Sequence, residues 1–187
     1  MKAWPQIQVH DRWHALHVAN VWPTHILAVV DDADDAATSS RREVTTHVEV
    51  FGDIVDPTSS DAPTHEHVRR IIDLARTLNP TDRLLVHCAA GIGRSPAASL
   101  CVWSALGRDP SSAFRSLLRI RPQADPNPLI LMHADDLLYP RTQRLFDTWW
   151  EWVSQGRSLV PPSDRHREHP HRSWATRLDL IERSLFC

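Results

Sequence analysis

The chain has 187 residues, a formal net charge of −2 and a sequence pI near 6.6, which excludes a broad positive field for nucleic acid or anionic membrane. Hydrophobic residues make up 42% of it, enough for the core of one ordinary domain. No apolar run approaches membrane-spanning length, and residues 1–6 lack the apolar core of a signal peptide. We therefore expect neither a nucleic acid nor a membrane as partner.

Hydrophobic periodicity predicts that strands alternate with helices along most of the chain. Short apolar or alternating runs predict strands at 7–9, 24–30, 44–51 and 84–88. Apolar residues near a 3.6-residue spacing predict helices at 11–21, 64–78, 96–106, 109–120, 129–138 and 141–155. This alternation is typical of a three-layer α/β fold with a mostly parallel central sheet flanked by helices.

The composition changes after Gly156, so we predict one domain over residues 1–155 and an appendage over residues 156–187. The appendage reads as a polar, proline-containing linker followed by an amphipathic helix. The last helix of the domain is rich in tryptophan. One apolar stripe of that helix is needed for the core, and a second could seat the appendage or another copy, which makes a homodimer one hypothesis.

The three cysteines, at positions 88, 101 and 187, form neither a disulfide pattern nor a metal-ligand pattern. Unpaired thiols are typical of a reducing compartment, so we expect a cytoplasmic protein.

Residues 84–95 carry the most informative pattern in the chain. They begin as a strand, break into a loop of small residues and enter a helix with Pro96 in its first turn. Loop amides and a helix N-terminus together cradle an anion. Cys88 at the start of the loop can act as a thiolate nucleophile, and Arg94 at its end can hold two oxygens of a tetrahedral anion. Such an arrangement suits the removal of a phosphoryl group from an ester.

The residues between Cys88 and Arg94 are predicted to bind phosphoryl oxygens through backbone N–H groups. They are Ala89, Ala90, Gly91, Ile92 and Gly93. We expect both glycines to allow a positive φ and a close approach. Ser95 can donate a hydrogen bond to the sulfur when the sulfur becomes the leaving group of a second step.

The segment His87-Cys88-x5-Arg94-Ser95, between a strand and a helix, resembles the signature of the cysteine-based protein tyrosine phosphatases. The resemblance is to the small dual-specificity branch and its bacterial relatives, and it covers roughly residues 5–140. It implies the phosphatase fold and a phosphocysteine intermediate on Cys88. It also implies that His87 orients the Cys88 backbone and supports the thiolate.

The resemblance further implies a general acid on a loop after the strand that precedes the signature. The candidates are Asp53, Asp56 and Asp61. Asp53 stands at the end of the predicted strand, and the pair Asp53-Ile54 resembles the bacterial relatives. Asp56 stands 32 residues before Cys88, close to the usual spacing in small dual-specificity enzymes. We predict Asp53 as the acid and keep Asp56 as the alternative.

The loop sequence also bears on the substrate. Phosphatases of this family that prefer phosphoinositides carry lysines in the loop, whereas positions 89, 90 and 92 here are Ala, Ala and Ile. We therefore expect a phosphorylated protein or a small phosphomonoester. The signature favours phosphotyrosine, and dual specificity stays open. The neutral loop argues against a phosphatase for RNA 5′ ends.

A binding module is the competing hypothesis. A catalytically weak pseudophosphatase would recognise phosphorylated partners, and this reading requires that neither Asp53 nor Asp56 reach the pocket.

Two further clusters could suggest a metal ion: His10, His14 and His17, which could line one helical face, and the acidic run at 31–35. Metal sites usually combine ligands from several elements, and phosphate chemistry on a thiolate needs no metal. We therefore predict no metal ligands and no cofactor. Asn127 is expected to cap the helix that follows it and could brace the loop. Arg119 and Arg121 could face the site, but arginines are solvated by default, so we expect both to be solvated.

Overall fold

The computed structural model describes residues 3–155 of the chain. The strands are β1 (Gln6–Asp11), β2 (His25–Val30), β3 (Thr45–Val50) and β4 (Arg83–Cys88). The helices are α1 (Arg12–Val18), α2 (His65–Thr77), α3 (Arg94–Ala105), α4 (Pro110–Ile120), α5 (Pro128–Leu138) and α6 (Arg144–Ser154).

All four strands are parallel, in the order β1-β4-β2-β3, with β4 and β2 in the centre. In the register of β1 with β4, Asp11 lies beside Cys88. The carboxyl ends of parallel strands meet at one edge of a sheet, which is where open α/β folds bind ligands. This edge therefore gathers the residues that follow each strand.

The two faces of the sheet bury different side chains, as the two-residue period of a strand requires. Leu84 and Val86 of β4 face the larger core, which packs against α2 to α6. Leu85 between them faces a smaller core, together with Ala15 of α1. Helices thus cover both faces, and the predicted three-layer α/β class is confirmed.

Most predicted elements are confirmed, and their ends differ for local reasons. Thr64 caps α2, and His67 accepts from the Thr64 N–H at 3.1 Å, which completes a capping box with an imidazole in the usual place of a glutamate. The last helix begins at Arg144 rather than at residue 141, because Arg141 adopts a left-handed backbone with φ of 78°.

The helix α6 buries Trp149 and Trp152 and leaves Trp150 42% exposed. The homodimer through this helix stays a prediction. The predicted linker and amphipathic helix of residues 156–187 lie outside the described residues. Within residues 3–155, no helix is long and apolar enough to cross a membrane.

Candidate active site

Residues 89–93, here called the anion loop, turn their carbonyl groups away from the loop's centre. Each carbonyl oxygen accepts a hydrogen bond from another part of the chain: Ala89 O from Arg12 N, Ala90 O and Gly91 O from the Arg121 guanidinium, Ile92 O from Asp125 N, and Gly93 O from Asn127 N and Ala97 N. A peptide carbonyl and the N–H of the same peptide group point in opposite directions. The N–H groups of the loop therefore point towards its centre. This arrangement of the carbonyl groups agrees with the prediction that the loop amides face an anion.

The Cys88 side chain lies at the centre of this loop. Its Sγ accepts hydrogen bonds from the Gly91 N–H and the Ser95 hydroxyl, each at 3.2 Å, and the residue is 2% exposed. The structure therefore brings the Ser95 hydroxyl and the Gly91 amide onto the sulfur.

Gly91 and Gly93 serve different purposes. Gly91 has a φ of +69°, and a Cβ there would lie 2.7 Å from Asp11 N. Gly93 has a φ of −100°, so the expectation of a positive φ at this position is wrong. A Cβ on Gly93 would instead lie 2.7 Å from Asp53 Oδ1, and glycine is needed there for close approach.

Arg94 begins α3 and is 4% exposed. Its Nη1 donates to Phe51 O at 2.7 Å, and its Nη2 pairs with Asp31 Oδ2 at 2.7 Å. Its Nε is buried and has no hydrogen-bond partner within residues 3–155. A buried charged donor without an acceptor costs free energy, so this N–H is suited to an incoming anion. Asp31 belongs to the acidic run at 31–35, and its contact with Arg94 was not predicted from the sequence.

His87 precedes the cysteine and is fully buried. Burial lowers its pKa to about 4, and the charges of Arg12 and Arg94 act in the same direction. The imidazole is therefore neutral at pH 7. Its Nε2 accepts from the Ala37 N–H at 3.0 Å, which ties the loop between β2 and β3 to β4. Its expected effect on the Cys88 backbone stays a prediction.

The two candidate acids lie in different surroundings. Asp53 follows β3, its carboxylate contacts the Gly93 position, and its Oδ1 accepts from Asn127 Nδ2 at 2.7 Å. Asp56 accepts from the backbone N–H and the hydroxyl of Thr58, at 3.0 and 2.7 Å, in a local turn. The structure thus brings the Asp53 carboxylate against Gly93 of the anion loop.

Asn127 links three parts of the site. Its Oδ1 accepts from the N–H groups of Leu129 and Ile130, which caps α5 as predicted. Its Nδ2 donates to Asp53 Oδ1, and its backbone N–H donates to Gly93 O at 3.2 Å. The cap residue therefore also braces the anion loop.

Arg121 was expected to be solvated, and this expectation is wrong. Its side chain is 13% exposed, its Nε donates to Gly91 O at 3.0 Å and its Nη2 to Ala90 O at 2.8 Å. Asp11 Oδ2 lies 3.6 Å from the same Nη2. The only indication of this contact in the sequence was the position of Arg121 at a helix end, just before Pro122. Arginines in such positions are more often exposed.

Solved structures similar to this chain include the following three. Human DUSP28 matches with a TM-score of 0.56 and 18% identity, over 73% of this chain and 90% of that one. DUSP15 matches with a TM-score of 0.54 and 19% identity, over 81% and 94% of the two chains. A mouse putative dual specificity phosphatase, complexed with zinc tungstate, matches with a TM-score of 0.51 and 15% identity, over 84% and 95%.

Sequence comparison adds no relative: no protein-family model matches the chain, and no curated protein matches it. The neighbours in structure share the parallel sheet and its flanking helices at low identity. The chain has the fold of the cysteine-based protein tyrosine phosphatases, as it occurs in the dual-specificity phosphatases.

Proposed function

We propose that this protein hydrolyses phosphate monoesters through a phosphocysteine intermediate and acts as a protein tyrosine or dual-specificity phosphatase. One observation carries the proposal: the Cys88 sulfur accepts two hydrogen bonds at the centre of a loop whose five carbonyl oxygens are all bonded elsewhere. A nucleophile inside a preorganised ring of donors is what transfer of a dianionic phosphoryl group requires.

In the first step, the Cys88 thiolate attacks phosphorus in line with the ester oxygen. The P–S bond forms as the P–O bond to the leaving group breaks. The inward amides of the anion loop and the free Nε of Arg94 bind the three equatorial oxygens. Asp53, in its acid form, donates its proton to the departing oxygen, which leaves as an alcohol or phenol.

In the second step, water attacks the phosphocysteine. Asp53 takes a proton from the water, the P–S bond breaks and inorganic phosphate leaves. The Ser95 hydroxyl, 3.2 Å from the sulfur, donates a hydrogen bond to the thiolate as it departs. Asp53 returns to its acid form and Cys88 to its thiolate, so the cycle needs no other reactant.

The residues of the anion loop narrow the substrate class. Ala89 and Ala90 are exposed and carry no charge, so nothing there pairs with the extra phosphates of an inositide. A phosphorylated protein or a small phosphomonoester fits such a loop, and the signature favours phosphotyrosine among phosphoproteins.

The pseudophosphatase hypothesis depends on the absence of an acid. The Asp53 carboxylate lies against Gly93 at the rim of the loop, which favours turnover over simple recognition. The two functions differ in one measurable respect: both bind phosphopeptide, and only the phosphatase releases phosphate.

The test measures hydrolysis of p-nitrophenyl phosphate, phenyl phosphate and a phosphotyrosine peptide. We expect turnover by the wild type and none by Cys88→Ser. Asp53→Asn should lower kcat by about 100-fold or more, because general acids contribute on that order. The loss should be greater for phenyl phosphate than for p-nitrophenyl phosphate, because nitrophenolate needs less protonation as it leaves.

Asp56→Asn is the matched control, since Asp56 is the alternative acid on the same loop and its carboxylate accepts from the backbone N–H and the hydroxyl of Thr58. If Asp53 is the acid, Asp56→Asn should keep kcat within about twofold, as is usual for a change at an exposed residue. A wild type that binds phosphopeptide without releasing phosphate would instead establish the binding module. Equal losses in the two aspartate variants would refute the assignment of Asp53.

A further inference from the structure

We propose that His65, His133 and Asp136 form a site for a divalent transition-metal ion of the Zn²⁺ class. His65 begins α2, and the other two residues lie on α5. One ligand atom from each of the three lies within 4.8 Å of the others. No metal ligands are predicted from the sequence, and these three residues lie too far apart along the chain to form a recognisable ligand pattern.

Two of the three side chains are already in contact. His65 Nε2 lies 2.8 Å from Asp136 Oδ2, and the His65 and His133 rings have centroids 4.1 Å apart. Two imidazoles and a carboxylate from two helices are a common ligand set for zinc. Hard ions such as Mg²⁺ prefer oxygen ligands alone, so they are excluded by the donor set.

The hydrogen bond of His133 prepares its ring for a metal. Its Nε2 lies 3.1 Å from Pro63 O, and a carbonyl oxygen can only accept, so this nitrogen carries the proton. The lone pair is therefore on Nδ1. A metal-bound histidine usually donates its other N–H to a carbonyl or carboxylate in this way, which fixes its tautomer and orientation.

His65 contacts Asp136 through Nε2, so an ion bound through that nitrogen would replace the hydrogen bond between these two side chains.

The fit requires a small contraction. Ligands at 2.0–2.2 Å in a tetrahedron lie about 3.5 Å from one another, so the donor atoms must move closer by roughly 1 Å. The side chains of His65 and Asp136 are 50% and 51% exposed, so they are free to turn. The cluster is open to solvent on one side, so water would occupy the fourth coordination position of the ion.

The chain offers a matched control on α1. His14 Nδ1 lies 2.7 Å from Asp11 Oδ2, which reproduces the His65–Asp136 pair. The nearest second imidazole, that of His10, has its centroid 6.0 Å away, and His17 Nδ1 bonds to Trp13 O. This pair therefore lacks the third ligand, and its loss should not affect zinc.

The experiment titrates the full chain with ZnCl₂ by isothermal calorimetry, in a Cys88→Ser background that removes the thiolate as a competing ligand. We expect zinc binding to weaken by at least about tenfold in each of His65→Gln, His133→Gln and Asp136→Asn, because each change removes a side chain that binds the metal directly. His14→Gln should leave the affinity unchanged. Cobalt bound in place of zinc should show tetrahedral absorption without a sulfur charge-transfer band.

The proposal is independent of the phosphatase chemistry, since the protein that is titrated carries Cys88→Ser and has no nucleophile. Thermal melts in EDTA check that each variant is folded, and His65→Gln and Asp136→Asn alter half-exposed side chains. Zinc binding of equal strength in all variants would place the ion elsewhere and overturn the proposal. So would the lack of saturable binding below about 1 mM, or a loss in His14→Gln equal to the losses in the three site variants.

Discussion

Arg121 acts on the site through the backbone. Its guanidinium bonds two successive carbonyl oxygens, Ala90 O and Gly91 O, which fixes the direction of the adjoining amides. It also places a positive charge behind the anion loop, where the Asp11 carboxylate lies 3.6 Å away. We therefore expect Arg121 to contribute to anion affinity without touching the anion.

Replacement of Arg121 tests this contribution. Arg121→Gln should weaken vanadate inhibition and raise KM for p-nitrophenyl phosphate by about tenfold, because two charge-assisted hydrogen bonds are lost from the loop. Arg121→Lys should recover only part of this, since an ammonium group lacks the planar fork. The dependence of rate on the leaving group should not change, because Asp53 is untouched.

Arg119 provides the comparison, because it is an exposed arginine at the end of the same helix. Arg119→Gln alters the net charge equally and should leave vanadate inhibition as in the wild type. Parallel losses in the two variants would mean that long-range charge, and not the position of the carbonyls, governs anion affinity.

The residues around the anion loop differ in how far the sequence could predict them. The pattern from Cys88 to Ser95 predicted the sulfur, the amides and the guanidinium, because they are neighbours in the chain and share one loop. It did not indicate Asp31, and it left Arg121 only as an arginine that could face the site, because both residues reach the loop from elsewhere in the chain. Both types of residue are usually solvated, and only the folded chain shows their contacts.

At the scale of elements, the site is built where the four strands end. Asp11 ends β1, Asp31 follows β2, Asp53 follows β3 and Cys88 ends β4. Since parallel strands present their carboxyl ends at one edge, each connection contributes one functional side chain there. The strand predictions were therefore sufficient to place Asp53 near Cys88, whereas the assignment of Asp53 over Asp56 as the acid stays a prediction.

Asn127 couples an element boundary to the proposed chemistry. Its Oδ1 caps α5, and its Nδ2 donates to the carboxylate of Asp53. Asn127→Asp keeps an oxygen acceptor for the cap and removes the donor. We expect kcat for phenyl phosphate to fall by about 100-fold, because a carboxylate in this position repels Asp53 and displaces it. The loss for p-nitrophenyl phosphate should be smaller.

Asn127→Ala loses both the cap and the donor, so its comparison with Asn127→Asp separates the two roles. It should lower the free energy of unfolding by about 1 kcal/mol from the cap alone, measured by denaturant titration. If Asn127→Asp turned over phenyl phosphate as fast as the wild type, the amide would be a cap and nothing more.

At the scale of the whole molecule, two buried groups respond to acid in opposite directions. Burial lowers the pKa of His87 to about 4, so its contribution to stability is lost as pH falls from 6.5 towards 4. Burial raises the pKa of Asp135 to about 6, although it accepts from the N–H groups of Leu145 and Phe146. Its contribution is present at low pH and is lost as pH rises through 6.

These two contributions nearly offset each other between pH 6.5 and 4.5, at about 2 kcal/mol each. Asp135→Asn removes one of them. On acidification over this range, the free energy of unfolding of the variant should therefore fall by about 2 kcal/mol more than that of the wild type. The other histidines whose pKa is lowered by burial, among them His10 and His47, act equally in both proteins and cancel in the comparison.

Guanidinium chloride titrations at pH 4.5, 5.5 and 6.5 measure this difference. Asp73→Asn is the control, because its carboxylate is 57% exposed on α2 and should leave the pH dependence as in the wild type. Identical slopes for wild type and Asp135→Asn would mean that Asp135 keeps its charge throughout this range. The offset would then be absent, and the acid sensitivity of the fold would follow from its buried histidines alone.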